Sequence, residues 1–346
     1  MDLRSSFSVI LVFVVLFGLP RDLESGSSKS GSRSPKSGGR FRNFLHKIHI
    51  PRFMQPFYKP FKGTERLENQ VVVITGGASG IGEETAAELY RRGAHVIIGN
   101  RDGTTCSKVA TKIKEQPRKI KDGQPEEIKY GDIECYFLDL NDLHSVKQFA
   151  EWLLRNKKSI KVLINNAGVM LADYEVIEQT ETELHIQSNH LGHFFLTILL
   201  LPRLIRSGHS RIVTVSSKAH EYWSHQVTTV NTYSLHPGII HTPLYRNVKK
   251  SWKWVGKSLH KFFETRFMKY LLRTPKEGAQ TTLYCTLSTD VEDQSGLYYS
   301  NCHEKPPTKL ARNEVQAKDL WKYSWNKLVK AGVLEPDYEY RMYQSG

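Results

Sequence analysis

Cysteine is scarce in this chain. Its 346 residues hold four, Cys106, Cys135, Cys285 and Cys302, at spacings that suit neither a metal site nor a dense disulfide framework. No Asn-x-Ser/Thr sequon occurs. Both absences lean toward a reducing, cytosolic setting. No internal repeat is visible, which argues against a solenoid or a propeller. No apolar run reaches the ~18 residues that mark a membrane-crossing helix. The apolar stretch Phe7–Leu19 has 13 residues, interrupted only by Ser8.

Charge is abundant but uneven. Lys and Arg number 49 against 35 Asp and Glu, a net charge of +14. Between Arg21 and Arg66 there are 11 basic and 3 acidic residues, and between Arg246 and Arg273 there are 9 basic and 1 acidic. The excess therefore belongs to particular surfaces. No nucleic-acid recognition motif accompanies it, so nucleic acid is not an expected partner.

Phe7–Leu19 would rise roughly 20 Å as a helix, which is short for a bilayer core. Its length suits a signal-peptide core, but its flanks differ. The leading side has only Arg4, offset by Asp2, and the following linker is basic. Positive charge stays cytosolic, so an anchor with a cytosolic domain is favoured over a cleaved signal. The expected organisation is an anchor or signal segment at 1–24, a basic flexible linker at 25–66, one domain at 67–335 and a tail at 336–346.

From Val71 the pattern becomes regular. "VVVIT" (71–75) is a β-branched run suited to a strand buried on both faces. "GGASGIG" (76–82) follows, then a helical stretch to about Arg92. Gly76, Gly80 and Gly82 fall at the strand-to-helix turn, where backbone N–H groups and a helix N-terminus can approach a pyrophosphate. The neighbouring Thr75, Ser79 and Ile81 belong to the same candidate cradle. A second strand, "HVIIGN" (95–100), ends at Arg101, where dinucleotide folds read the ribose. A guanidinium there suits the 2′-phosphate of NADP(H), while Asp102 could instead serve a ribose hydroxyl. Further units follow. They are a helix near 104–114, a strand at 135–138 ending in Asp139, a helix near 143–156, "KVLINNAG" (161–168), a long helix near 180–204, and "RIVTVSS" (211–217). Such alternation predicts an α/β fold of Rossmann type, a doubly wound parallel sheet with ligands at the strand C-termini.

Taken in order, "TGGASGIG", Asp139, "NNAG", "QSNHLGHFFLT", "RIVTVSS" and "HPGIIHT" resemble the short-chain dehydrogenase/reductase family from about Val71 to Leu334. "NHLGHFFLT", "RTPKEGAQTTLY" and "YYSNCHEKPPTKLA" look most like its retinol dehydrogenase branch. The resemblance implies an oxidoreductase using NADP(H) on retinoids or other lipophilic alcohols and carbonyls. It implies pyrophosphate contacts at Gly76, Gly80 and Gly82, and an adenine contact at Asp139. It implies ribose-side contacts at Asn165, Ala167 and Gly168. Pro237, Gly238 and Thr242 would meet the nicotinamide, Asn189 would join a proton relay, and Ser217 would hold the substrate oxygen. No metal is implied.

One element of that pattern is missing. The family couples hydride transfer to a Tyr whose phenol is acidified by a Lys four residues later. Between Ser217 and "HPG" no Tyr-x-x-x-Lys occurs. Tyr222 has Gln226 four residues on, and Tyr233 has Pro237. "YRNVK" (245–249) comes after Pro237-Gly238, and "YKPFK" (58–62) precedes the first strand, so neither qualifies. The spacing agrees. β-like runs at 211–216 and about 228–235 leave the eleven residues Ser217–Val227 between them. A parallel crossover needs roughly a dozen or more, usually with a helix. A crossover helix carrying the pair is therefore absent or truncated. Its loss is expected to expose apolar sheet surface, to impair catalysis and to put oligomer formation in doubt. A non-enzymatic nucleotide-binding or interaction protein on the same fold is the alternative.

Residues 246–273 interleave basic side chains with Trp252, Trp254, Phe262, Phe263, Phe267 and Tyr270. The stretch reads either as an interfacial helix on an anionic membrane or as a substrate lid. The expected setting is a membrane surface, the endoplasmic reticulum with a cytosolic domain, or the lumen or exterior if 1–20 is cleaved.

Overall fold

A computed structural model describes residues 60–116, 129–170, 174–216, 230–238, 240, 273–307 and 310–338. The chain divides into units 1–47 and 48–346, and every described residue falls in the second. The apolar N-terminal stretch, the linker up to residue 59, Ser217, Thr242, the 245–249 pair, the basic aromatic stretch 246–272 and the tail from 339 lie outside the described residues.

The regular part begins with β1 (Val71–Thr75), whose last four residues are buried. α1 (Gly80–Arg91), β2 (His95–Asn100), α2 (Gly103–Lys114), β3 (Asp132–Phe137), α3 (Leu143–Asn156) and β4 (Val162–Asn165) follow. A small antiparallel pair, β5 (Val176–Ile177) and β6 (Thr182–Glu183), then leads into α4 (Leu184–Ile186). The chain passes through a π-helical turn, Gln187–Leu191, into α5 (Gly192–Ser207). β7 (Ser210–Val215), β8 (Val230–His236), α6 (Pro275–Leu287), β9 (Leu297–Ser300) and α7 (Glu314–Lys330) complete the strands and α-helices of the described residues.

The seven-stranded sheet has the order β3-β2-β1-β4-β7-β8-β9, and every pairing is parallel. Chain order reverses between β1 and β4, and that switch point is where doubly wound sheets bind ligands. One face is covered by α1, α2 and α6 through residues such as Leu89, Ile113 and Leu283. The other is covered by α3, α5 and α7 through Phe149, Phe195 and Leu328. The expected α/β doubly wound fold is thus observed.

Two local readings need correction. Thr180–Glu183 is not helical. Glu181 takes φ of +50°, and Thr182–Glu183 pairs with β5. The long helix also runs three residues past Leu204 and ends where Gly208 turns the chain at φ of +63°. Phe61, assigned to the linker by sequence, packs edge-on against Tyr284 at 5.9 Å, and its backbone N–H donates to Gln280 Oε1 at 3.1 Å.

β7 and β8 are parallel neighbours in register from Ser210↔Val230 to Val215↔Leu235. Residues 216–229 therefore make the whole crossover. Side chains alternate along a strand. Val213, Val215, Tyr233 and Leu235 enter the core beneath α6. Ile212 and Val230 join the opposite core, so Thr214, Thr232 and Ser234 share their side. That face is richer in hydroxyls than the expectation of bare apolar surface allowed. Thr232 is tied there to Ser295, whose hydroxyl accepts its backbone N–H at 3.0 Å.

Candidate cofactor and active site

The loops at the β1/β4 switch enclose a cleft of about 450 Å³. Of the residues singled out in the sequence, Gly76, Ser79, Gly80, Ile81, Gly82, Arg101, Asp139, Ala167 and Gly168 line it. Ala78, Asn100, Asp102, Thr105, Leu138, Leu140, Asn166, Val169 and Ser188 line it too.

Beneath the floor of the cleft lies Thr75, fully buried. Its hydroxyl oxygen accepts the backbone N–H groups of Asn166 at 2.9 Å and Ala167 at 3.0 Å. It also lies 2.8 Å from His193 Nε2. A hydroxyl has one proton, and both backbone partners are donors, so that proton goes to His193 Nε2. His193 Nδ1 must then be the protonated nitrogen, donating to Asn189 O at 3.1 Å. Burial pushes the His193 imidazole down to about 4, which keeps it neutral and consistent with this tautomer.

The glycine turn is built for close approach. Gly76 has φ of +65°, and a Cβ on it would sit 2.9 Å from Ala167 Cα. A Cβ on Gly82 would meet Gly76 O at 2.3 Å and Asn166 Nδ2 at 2.6 Å. Asn166 Nδ2 itself donates to Thr75 O at 2.9 Å and Gly76 O at 3.2 Å, bracing the turn. Ser79 caps α1 with extended backbone but no side-chain hydrogen bond, leaving first-turn N–H groups for a ligand. This bare cradle and exposed helix N-terminus fit a dinucleotide pyrophosphate. When bound, such a cofactor supplies the hydride. This chain supplies the cradle and the walls.

At the tip of β2, Asp102 is already committed. Its carboxylate accepts the Thr105 N–H at 2.9 Å and the Thr105 hydroxyl at 2.6 Å, capping α2. Those bonds hold its carboxyl below the usual range. Arg101 is exposed beside it. Asp139 accepts the Asn141 N–H at 3.0 Å through one oxygen, while its own N–H donates to Ser145 Oγ. Cys106 and Cys135 are joined as a disulfide with Cα atoms 5.9 Å apart, binding α2 to β3. One disulfide is not a dense framework, but it weakens the lean toward a reducing setting. A separation of 29 residues carries no signature by itself.

Asn165 does not reach the cleft wall. It is buried at the end of β4 and donates to Thr197 Oγ1 at 3.1 Å, and its own oxygen has no partner among the described residues. Its neighbour Asn166 takes the lining position. Asn189 stands in the π-turn, exposed. Its side chain pairs with both backbone groups of Val169, accepting at 2.8 Å and donating at 2.9 Å. Pro237 and Gly238 follow β8 on the same edge of the sheet, outside the cleft lining. Gly238 has φ of +100°, and Pro237 O accepts from Arg273 at 3.3 Å.

Among the described residues no tyrosine lines the cleft. Tyr233 is buried in β8 with its hydroxyl donating to Val291 O at 2.7 Å, and burial raises it to about 12. Far from the cleft, at the starts of β2 and β3, His95, Asp132 and Glu134 come within 4.8 Å of one another. Lys157 lies 3.3 Å from Glu134 and Lys114 lies 2.7 Å from Asp132, so two ammonium groups already balance these carboxylates.

The comparisons agree with this geometry. A family model described as short chain dehydrogenase matches residues 70–234. Human retinol dehydrogenase 11 is 36% identical over 301 residues, covering 77% of this chain and 87% of its own. Retinol dehydrogenase 14 from Mus musculus is 35% identical over 304 residues, covering 78% and 88%. Among solved structures, an uncharacterized protein from Mycobacterium paratuberculosis superposes with a TM-score of 0.54 at 26% identity over 76% of this chain and 94% of that one. Levodione reductase gives 0.52 at 18% identity, covering 68% and 96%, a likeness of fold alone. The chain belongs to the short-chain dehydrogenase/reductase family of oxidoreductases. Within that family it is retinol dehydrogenase-like.

Buried imidazoles give the domain an acid limb. Burial lowers both His190 and His193 from 6.5 to about 4. Between those values the unfolded chain binds the protons that the folded chain refuses, so stability falls as pH drops from about 6.5 to 4. Each histidine contributes at most about 1.4 kcal/mol per pH unit. Urea unfolding at pH 7, 6 and 5 measures this. Stability flat across that interval means that the folded state protonates both rings freely.

Proposed function

We propose that this chain is an NADP(H)-binding, membrane-associated member of the retinol dehydrogenase-like branch, with little or no turnover of its own. Its substrate class would be retinoids or similar lipophilic alcohols and carbonyls. The observation that carries the loss of activity is the crossover. β7 and β8 pair directly, residues 216–229 are all that joins them, and no Tyr-x-x-x-Lys lies in that span. The phenol that would exchange a proton with the substrate oxygen is therefore missing, together with the ammonium that would acidify it. Ser217 and Thr242 keep their family-derived roles as proposals, as do Asn189, Pro237 and Gly238.

Cofactor choice rests on the tip of β2. Asp102 spends both carboxylate oxygens on the α2 cap, which makes it a poor acceptor for a ribose diol. Arg101 lines the cleft and has no polar partner among the described residues. A free guanidinium suits the 2′-phosphate. NADPH is expected to bind at least about tenfold more tightly than NADH, roughly one charge-assisted hydrogen bond. Arg101→Ala should erase that margin and leave NADH affinity unchanged. Titration by nucleotide fluorescence reads both, and tighter binding of NADH by the native chain overturns the assignment.

The catalytic deficit has its own measure. Reduction of retinal by NADPH should run at least ~10²-fold below that of a family member carrying the Tyr/Lys pair, the lower end of what general acid–base catalysis contributes. Comparable rates would sink the proposal, and Tyr245→Phe would then ask whether "YRNVK" supplies the acid.

On which side of the membrane the domain stands, the Cys106–Cys135 bond supports the oxidising, lumenal side. The flank charge supports the cytosolic side, but Arg21 is offset by Asp22 and Glu24, and whole domains translocate largely regardless of charge. Among the described residues no helix is long and apolar enough to cross a membrane. Maleimide trapping in intact cells should leave Cys106 and Cys135 unlabelled until a reductant is added. Labelling without reductant returns the domain to the cytosol.

A further inference from the structure

His193 is an unusual residue for its place. It sits in "GHFFLTILLL" at the start of α5, where Phe194, Phe195, Leu196 and Ile198 are all buried apolar side chains. It is buried itself, at 6% exposure, and no carboxylate is among its hydrogen-bond partners. Burying an imidazole where a leucine would pack costs free energy unless both nitrogens are satisfied. They are satisfied, and by groups from two different parts of the site. Nδ1–H donates to Asn189 O in the π-turn, and Nε2 accepts the Thr75 hydroxyl at the tip of β1.

The Thr75 contact has a further consequence. Its hydroxyl accepts the Asn166 and Ala167 N–H groups, and its single proton must point elsewhere. His193 Nε2 is the acceptor that fixes where. Without it, the hydroxyl proton is buried without a partner. The hydroxyl then gains by rotating toward another acceptor, which would turn its lone pairs away from the two backbone donors. Asn166 and Ala167 both line the cofactor cleft, and Ala167 Cα lies 2.9 Å from where a Cβ of Gly76 would be. A shift of this wall is therefore a shift of the glycine turn.

We propose that His193 is a positioning residue for the cofactor wall: bonded at both nitrogens, it locks the Thr75 hydroxyl against the Asn166 and Ala167 amides and ties that lock to the π-turn at Asn189. The role rests on the reading of this cleft as a dinucleotide site. The lock itself can be tested with no nucleotide present.

The full chain with His193→Phe keeps an aromatic ring and loses both hydrogen bonds. With His193→Gln it keeps an acceptor near the place of Nε2. Amide hydrogen exchange is followed at Asn166 and Ala167, with Val73 and Ile74 of β1 as internal references, and NADPH affinity is measured in parallel. His193→Phe should speed exchange at the two wall amides about tenfold relative to the references and weaken NADPH by a similar factor, the scale of one hydrogen bond. His193→Gln should restore both most of the way. Unchanged protection of Asn166 and Ala167 in His193→Phe overturns the lock, as does a His193→Gln protein that behaves like His193→Phe. If the exchange pattern follows expectation but the native chain binds neither NADPH nor NADH, the lock stands and the nucleotide reading fails.

Discussion

The hydroxyl of Thr75 is the point on which the site depends. One oxygen at the end of β1 accepts two backbone N–H groups from the turn after β4 and gives its proton to His193. The switch point of a doubly wound sheet is a gap, because the chain leaves β1 and β4 in opposite directions. Something must hold the two strand ends together there without filling the space a ligand needs. Here a buried threonine does it from below. That leaves Gly76 free to approach Ala167 and Asn166 free to brace the Gly76 and Thr75 carbonyls from above.

The same economy sets the ends of the cleft. At the tip of β2, the α2 cap consumes Asp102 and the disulfide pins α2 to β3, which leaves Arg101 as the charge there with no polar partner among the described residues. On the far side, the π-turn brings Asn189 against Val169, which closes the wall after "NNAG". π-turns recur at functional sites because one extra residue re-aims the side chains beyond it. In this chain the turn separates Ser188, which faces the cleft, from His193, which faces the lock.

Much of this was legible in the sequence, for identifiable reasons. Strands buried on both faces read as β-branched runs, so β1, β2 and β7 were found to within a residue or so. The glycine turn was legible because positive φ and the lack of room for a Cβ leave few other residues possible. What escaped depends on which way a side chain points or on contacts distant in sequence. "NNAG" offers two asparagines, and composition cannot tell that Asn165 ends the buried strand while Asn166 turns into the cleft. A π-turn has the same residue preferences as the helix around it. Cys106 and Cys135 meet only because α2 folds back over β3. In sequence His193 is one polar residue in an apolar stretch, and only the positions of Thr75 and Asn189 give it a partner at each nitrogen.

The division of labour along the sheet explains why the cleft does not depend on the crossover after β7. Every residue that lines the cleft comes from β2, from the turns after β1, β2, β3 and β4, from the first turns of α1 and α2, or from the π-turn. Each of these strands pairs with its neighbours along its length, and none of those pairings passes through residues 216–229. The crossover after β7 joins strands on the other side of β4, and β8 still finds its register there, its outer face carrying Thr232 and Ser234 rather than an apolar stripe. Residues 216–229 hold no Tyr-x-x-x-Lys, and no bond of the network around Thr75 passes through them. The Rossmann half closes on its own contacts, and the chemistry is a separate layer laid over its edge.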